Sequence, residues 1–230
     1  MCCLFLAASS TVAIAQTSVV DLVNPIIGTN GMGHTFPGAC VPFGLVQLSP
    51  DTDTIPHNVD GKYQPRSYEY CAGYQHKDSS IVGFSHTHFS GTGHSDLGDI
   101  LIMPTTGTLK LNPGTATNPD GGYRSRFSHG TEISRPGYYE VMLADYGVKA
   151  QLTTTQRVGI HKYTYPTNSE NQRIILDMIH GIYNYDGKVL WTNIRVENDT
   201  LVTGYRITNG WARTNYTYFA MSFSKPITHY

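Results

Sequence analysis

Apolar and polar positions alternate with a period of two over much of the chain after residue 40, the mark of strands with one face buried. Val148 to Thr154 alternates throughout. Ile160 to Tyr165 sets His161, Tyr163 and Tyr165 on one face before Pro166 ends the run. Tyr138 to Leu143 follows a Pro136-Gly137 turn, and Asn215 to Phe223 alternates again. Val189 to Val196 and Leu201 to Ile207 flank Glu197-Asn198-Asp199-Thr200, a hairpin with a polar turn. Asn209-Gly210 predicts a tight turn with positive φ. Three shorter runs read as strands: Phe43 to Leu48, Asp99 to Met103 (ended by Pro104), and Ile174 to Ile179, whose apolar residues predict cover on both faces. No stretch beyond the N-terminus sustains a 3.6-residue period, so the pattern predicts an all-β antiparallel sandwich of many strands.

Residues 28 to 98 break the pattern. They are rich in Gly, His, Ser and Thr, and so much irregular chain in one domain predicts functional loops. No internal repeat or linker divides the chain. The N-terminus carries a short apolar run and then Ala13-Ile14-Ala15, a small-x-small cleavage pattern, although no Lys or Arg precedes the run. Residues 1–15 are expected to be a signal peptide cut after Ala15. The mature domain is then 16–230, secreted or periplasmic and without a membrane span. The leader takes Cys2 and Cys3 with it. Cys40 and Cys71 remain, read as free thiols, buried or lining a site, ahead of a disulfide.

Composition narrows the function. The 230 residues hold 16 Lys+Arg against 17 Asp+Glu, a formal net charge of -1, which argues against a phosphate-neutralising nucleic-acid binder. Sixteen tyrosines offer rings that pack and hydroxyls that hydrogen-bond, which suits a polar ligand. His86-Thr87-His88 would place two imidazoles on one strand face for a metal, with a third ligand from His94, Asp96 or Asp99. The plainer reading is two histidines hydrogen-bonded inside a loop core. Ser90 to Asp96 is Gly-rich but matches no nucleotide fingerprint. Asp51 with Asp53, Asp96 with Asp99, and Glu132 with Glu140 are carboxylate pairs of the kind glycoside hydrolysis uses at roughly 5 to 9.5 Å. Each also has an ordinary reading as a capping or solvated group.

Several phrases, taken in order, resemble one family. They include Val23-Asn24-Pro25-Ile26-Ile27-Gly28-Thr29, His34-Thr35-Phe36-Pro37-Gly38-Ala39, and Pro42-Phe43-Gly44-Leu45 with Val46 to Asp51. Gly83 to Gly93, Asp96-Leu97-Gly98-Asp99, Pro136-Gly137-Tyr138-Tyr139, Arg157 to Pro166 and Phe223-Ser224-Lys225-Pro226 follow. Together they resemble the N-terminal domain of glycoside hydrolase family 92, the calcium-dependent exo-α-mannosidases. The resemblance implies a galactose-mutarotase-like supersandwich that packs on a larger (α/α)6 catalytic barrel. The catalytic carboxylates and the calcium site belong to that barrel, so neither a catalytic residue nor a metal ligand is expected in this chain, which alone should be inactive. The loops implied to face the mannoside carry Phe36, then Cys71, Ala72 and Gly73, then His94, Ser95 and Asp96. A member preferring α-1,2 linkages is expected to place a Trp where His94 stands. Severed from its barrel, the domain is expected to expose apolar surface. The rivals are a stand-alone carbohydrate-binding or interaction module, and a His-x-His metal-dependent enzyme.

Overall fold

A computed structural model of the chain describes residues 18–52, 55–56 and 58–230. The expected leader and Asp53 lie outside the described residues. The strands are β1 (Ala39–Cys40), β2 (Gln47–Asp51), β3 (Asn58–Val59), β4 (Lys62–Tyr63), β5 (Ser80–Ile81), β6 (Gly83–Ser85), β7 (Leu101–Thr105) and β8 (Ser125–Arg126). They continue with β9 (Ile133–Arg135), β10 (Tyr138–Leu143), β11 (Val148–Thr154), β12 (Gly159–Thr164), β13 (Arg173–Asp177), β14 (Val189–Asn198), β15 (Leu201–Thr208) and β16 (Asn215–Ser222). Among the described residues the helices are short 3-10 turns. All strand pairs are antiparallel, as the sequence predicts.

A five-stranded sheet runs β1-β2-β6-β7-β13, and a four-stranded sheet runs β12-β11-β10-β9. Their inner faces share one core. Leu48, Phe84, Leu101 and Met103 come from the first sheet, and Tyr139, Val141, Leu143, Val148, Ala150 and Leu152 from the second. The alternation read from Tyr138 to Leu143 is the alternation of burial seen in β10, with every second residue buried. Two small ribbons, β3-β4 and β5-β8, and a three-stranded sheet, β14-β15-β16, complete the fold.

Three expected strands shift. Phe43 adopts a left-handed φ of 58° and is fully exposed, so the strand placed at Phe43 starts instead at Gln47. β7 does not end at Pro104 but pairs through it, Ile174 opposite Pro104. Its neighbour β6 pairs with it only at Phe84↔Ile102, so a residue without an N–H is tolerated on what is by then an edge. The run from Ile174 is not covered on both faces. It forms the outer strand β13, half-buried throughout, and Ile179 beyond it is exposed. Neither Asn209 nor Gly210 takes a positive φ. The 209–214 connection is a wider loop, with Asn209 N–H bonded to the Lys188 carbonyl at 2.7 Å.

The three-stranded sheet has two unlike faces. Arg206, Val202 and Thr208 of β15 are buried. On the other face, cross-strand register aligns Trp191, Ile207 and Tyr216 in one row and Asn193, Tyr205 and Tyr218 in the next. Trp191, Tyr216 and Tyr218 on that face are all more than half exposed. Exposed apolar surface is expected from the sequence, and this face presents it.

Candidate functional site

The Gly- and His-rich loops converge at the β2 end where Asp51 lies. Asp51 is buried at the last position of β2 and accepts from two imidazoles, His88 Nε2 at 2.9 Å and His180 Nε2 at 2.8 Å. Burial opposes its ionisation, but the adjacent His88 and His180 outweigh it and hold the carboxyl far below the usual range. His88 is fixed from its other side by Nδ1, which donates to the Gln47 carbonyl at 2.7 Å. Gly73 sits directly over this carboxylate. Its φ is 79°, and a Cβ there would lie 2.1 Å from Asp51 Oδ1. Asp51, Tyr70, Gly73, His180, Gly181 and Ile182 line a narrow crevice. A wider groove elsewhere, beside Lys110, Asp120 and Asp145, involves none of these loops.

The expected site residues are drawn together around that crevice. Phe36 is buried against the His88 ring, with centroids 5.2 Å apart. The Cys71 thiol donates to the Tyr68 carbonyl at 3.0 Å and accepts from the Ser95 hydroxyl at 3.1 Å. That contact joins the 71–73 loop to the 94–96 loop. Burial pushes the Cys71 thiol up, which favours its S–H form as a donor to Tyr68. Both Cys40 and Cys71 are free. Ala72 is buried, and Gly73 already bonds within the chain, its N–H to Tyr70 and its carbonyl from Thr52 N–H, each at 2.8 Å.

Asp96 is the hinge of the third loop. It pairs with Lys188 Nζ at 3.0 Å and accepts from the backbone N–H of Leu97 and of Trp211, each at 2.9 Å. Burial raises this carboxyl, but the Lys188 charge and the two N–H donors lower it overall. Anchored in this way, Trp211 lies edge-on to His94 at 4.4 Å and to Phe89 at 6.4 Å, and 68% of it is exposed. Phe89, His94 and Trp211 thus form an open aromatic corner. No local pattern marks Trp211, because it meets His94 and Asp96 only through long-range contacts. A Trp does pack beside His94, but it comes from the 209–214 loop.

The glycosyl hydrolase family 92 N-terminal domain matches residues 22–230. This chain belongs to that family. The α-mannosidase BT3965 of Bacteroides thetaiotaomicron, solved in complex with mannoimidazole, is 45% identical with a TM-score of 0.81, over 91% of this chain and 26% of that one. The inverting mannosidase BT2199 of Bacteroides thetaiotaomicron VPI-5482 is 28% identical with a TM-score of 0.67, over 92% of this chain and 26% of that one. A curated relative from Arthroderma benhamiae, described as an uncharacterized secreted glycosidase, is 28% identical over 170 residues, 70% of this chain and 19% of that protein. The chain therefore spans about a quarter or less of the relatives it matches.

Within the family 92 domain, the His-x-His pair does not form a metal site. His88 is spent on Asp51 and Gln47 as above. His86 turns elsewhere, with Nδ1 donating to the Ile100 carbonyl at 2.7 Å and Nε2 lying 3.0 Å from His161 Nε2. The carboxylate pairs dissolve in the same way. Asp99 is held by Thr87 and Arg206, Glu140 by Tyr138 and Gln151, and Glu132 by Tyr74 and Tyr139. Each has a hydrogen-bond or ion-pair partner within the fold.

The His86–His161 contact has a direction. His86 Nδ1 donates to a carbonyl, so its Nε2 accepts from His161 Nε2–H, and His161 Nδ1 in turn accepts from the Tyr163 hydroxyl at 2.7 Å. The relay needs both rings neutral. Burial holds His86 down to about 4 and His161 well below its ordinary range. The unfolded chain binds these protons near pH 6.5, so folding stability is complete above that and falls as pH drops towards 4. Each proton contributes up to about 1.4 kcal/mol per pH unit in that window. Urea midpoints measured from pH 7 to 4 are expected to fall steeply for the native chain. His161→Gln should flatten the slope, and an unchanged slope would refute the relay.

Among the described residues, no helix is long and apolar enough to cross a membrane.

Proposed function

We propose that this chain is the N-terminal domain of a secreted or periplasmic, inverting α-mannosidase, and that it packs on a following (α/α)6 catalytic domain and lends loops to its mannose pocket. The observation that carries this reading is the aromatic corner of Phe89, His94 and Trp211, built beside the Cys71–Gly73 loop and left open to solvent. Exposed aromatic faces of this kind pack on the apolar face of a sugar ring. Neighbouring polar groups then meet the hydroxyls. The substrate class is taken from the two solved relatives named above, which are described as an α-mannosidase and an inverting mannosidase.

In such a reaction one carboxylic acid protonates the leaving oxygen and a carboxylate activates water across the ring. This chain supplies neither group. Its share is binding and orientation, with Trp211 held by Asp96 and Asp96 held by buried Lys188. The calcium expected of the parent enzyme does not suit the residues here. Among the described residues the one cluster of potential ligands contains two imidazoles and a single carboxylate, whereas calcium takes six to eight oxygens. The following domain is therefore assigned the calcium.

In the assembled enzyme, Trp211→Ala should raise KM for a terminal α-mannoside about tenfold with little change in kcat, the equivalent of about 1.4 kcal/mol. An unchanged KM would remove this loop from the pocket.

A further inference from the structure

A second cluster, which the mannoside site does not use, joins the 74–76 segment to the turn before β9. The rings of His76 and His129 lie 3.9 Å apart. A ligand atom from each of His76, His129 and Glu132 lies within 4.8 Å of the other two. The backbone holds them in place: His76 N–H bonds the Thr29 carbonyl at 2.8 Å, and His129 opens a 3-10 turn capped by Ser128. Glu132 is braced from behind. Its Oε1 accepts from the Tyr74 hydroxyl at 2.9 Å and from the Tyr139 hydroxyl at 2.7 Å. Its Oε2 faces His129 Nδ1 at 2.7 Å.

The carboxylate is the telling group. Its side chain is only 3% exposed, yet its ion-pair partner among the described residues is a histidine, not a lysine or arginine. A buried carboxylate is normally offset by a cation or a metal. Both supporting tyrosines meet the carboxylate with their hydroxyls. Hydroxyl donors that orient a carboxylate from behind are the usual outer shell of a metal ligand.

We propose that His76, His129 and Glu132 bind one borderline divalent cation of the zinc type, with water completing the shell on the open side of His129. Two imidazoles and one carboxylate are a zinc-like donor set at about 2.0–2.2 Å, and they are too few and too nitrogen-rich for calcium. Closing the shell requires only that the His129–Glu132 contact widen to admit the ion. Such an ion would tie the segment carrying Cys71 to Gly73 to the turn that starts β9, bracing the mannoside loops from outside.

The test uses the tag-free 230-residue chain titrated with zinc chloride, and with cobalt chloride as a visible probe. One zinc per chain, a raised thermal midpoint and a visible cobalt absorption band are expected. His76→Ala and His129→Ala, which remove partly exposed rings, should lose the band and the zinc-induced shift, each shift being read against the variant's own metal-free midpoint. Tyr139→Phe should weaken binding about tenfold. Absence of a cobalt band in the native chain would overturn the site. So would a band or shift that survives in the His76→Ala/His129→Ala double variant, since Cys2 and Cys3 or other groups would then hold the ion.

Discussion

Replacing Arg206 with methionine should destabilise the domain by about 3–5 kcal/mol, the usual result of stripping one partner from a buried ion pair. Arg206 rises from β15 with no solvent exposure, reaches Asp99 Oδ1 at 3.3 Å and donates to the His180 carbonyl. Asp99 is itself 1% exposed and also accepts from Thr87 at 2.8 Å. The methionine would leave that carboxylate charged in a dry site. It would also release the three-stranded sheet from the loop that positions His180 over Asp51. The double variant Asp99→Leu/Arg206→Met removes both charges, so it should recover most of the loss. Urea unfolding of the four chains gives the coupling directly. A single-variant loss below about 1 kcal/mol would mean that the pair carries no structural weight.

Gly73→Ala is expected to be nearly as damaging, for a different reason. A left-handed φ costs a non-glycine residue about 1–2 kcal/mol. Here the added methyl would also meet Asp51 Oδ1 at 2.1 Å. Asp51 has no room to give way, because its two oxygens are held by His88 and His180. The substitution should therefore cost more than the backbone term alone and loosen the whole Cys71–Gly73 loop. Thermal unfolding and proteolysis in this loop would report it. A midpoint within a degree or two of the native chain would show that Asp51 is free to move.

The parts of the fold legible in the sequence are those where one face is buried and the other wet. β10 and β11 fall on the predicted residues, and the β14–β15 hairpin differs only by short extensions. Where tertiary contacts override local pattern, the reading failed. β1, β3, β5 and β8 are two-residue strands with no period to detect. His34, Phe43, Leu97 and Ile100 adopt positive φ although none is glycine, and no local signal announces that. The loops bearing Phe36, Cys71 and His94 are implied by the family resemblance, and in the fold they lie together. The partners that fix them did not show in the sequence. His180 is 129 residues from Asp51, and Trp211 is 115 from Asp96, so no local pattern joins them.

The aromatic rows on the outer face of the three-stranded sheet point the same way as the aromatic corner. Trp191, Tyr216 and Tyr218 are each more than half exposed and costly to leave in water. On the proposed function, this is the face that would meet the catalytic domain.

The most direct measurement is complementation. The chain would be co-expressed with a family 92 α-mannosidase deprived of its own N-terminal domain, and mannose release from α-mannosides would be assayed with calcium and after chelation. The account predicts no release by this chain alone, calcium-dependent release by the pair, and loss of association with Tyr218→Lys. Hydrolysis by the isolated chain, or failure of the native chain to associate and restore activity, would contradict it.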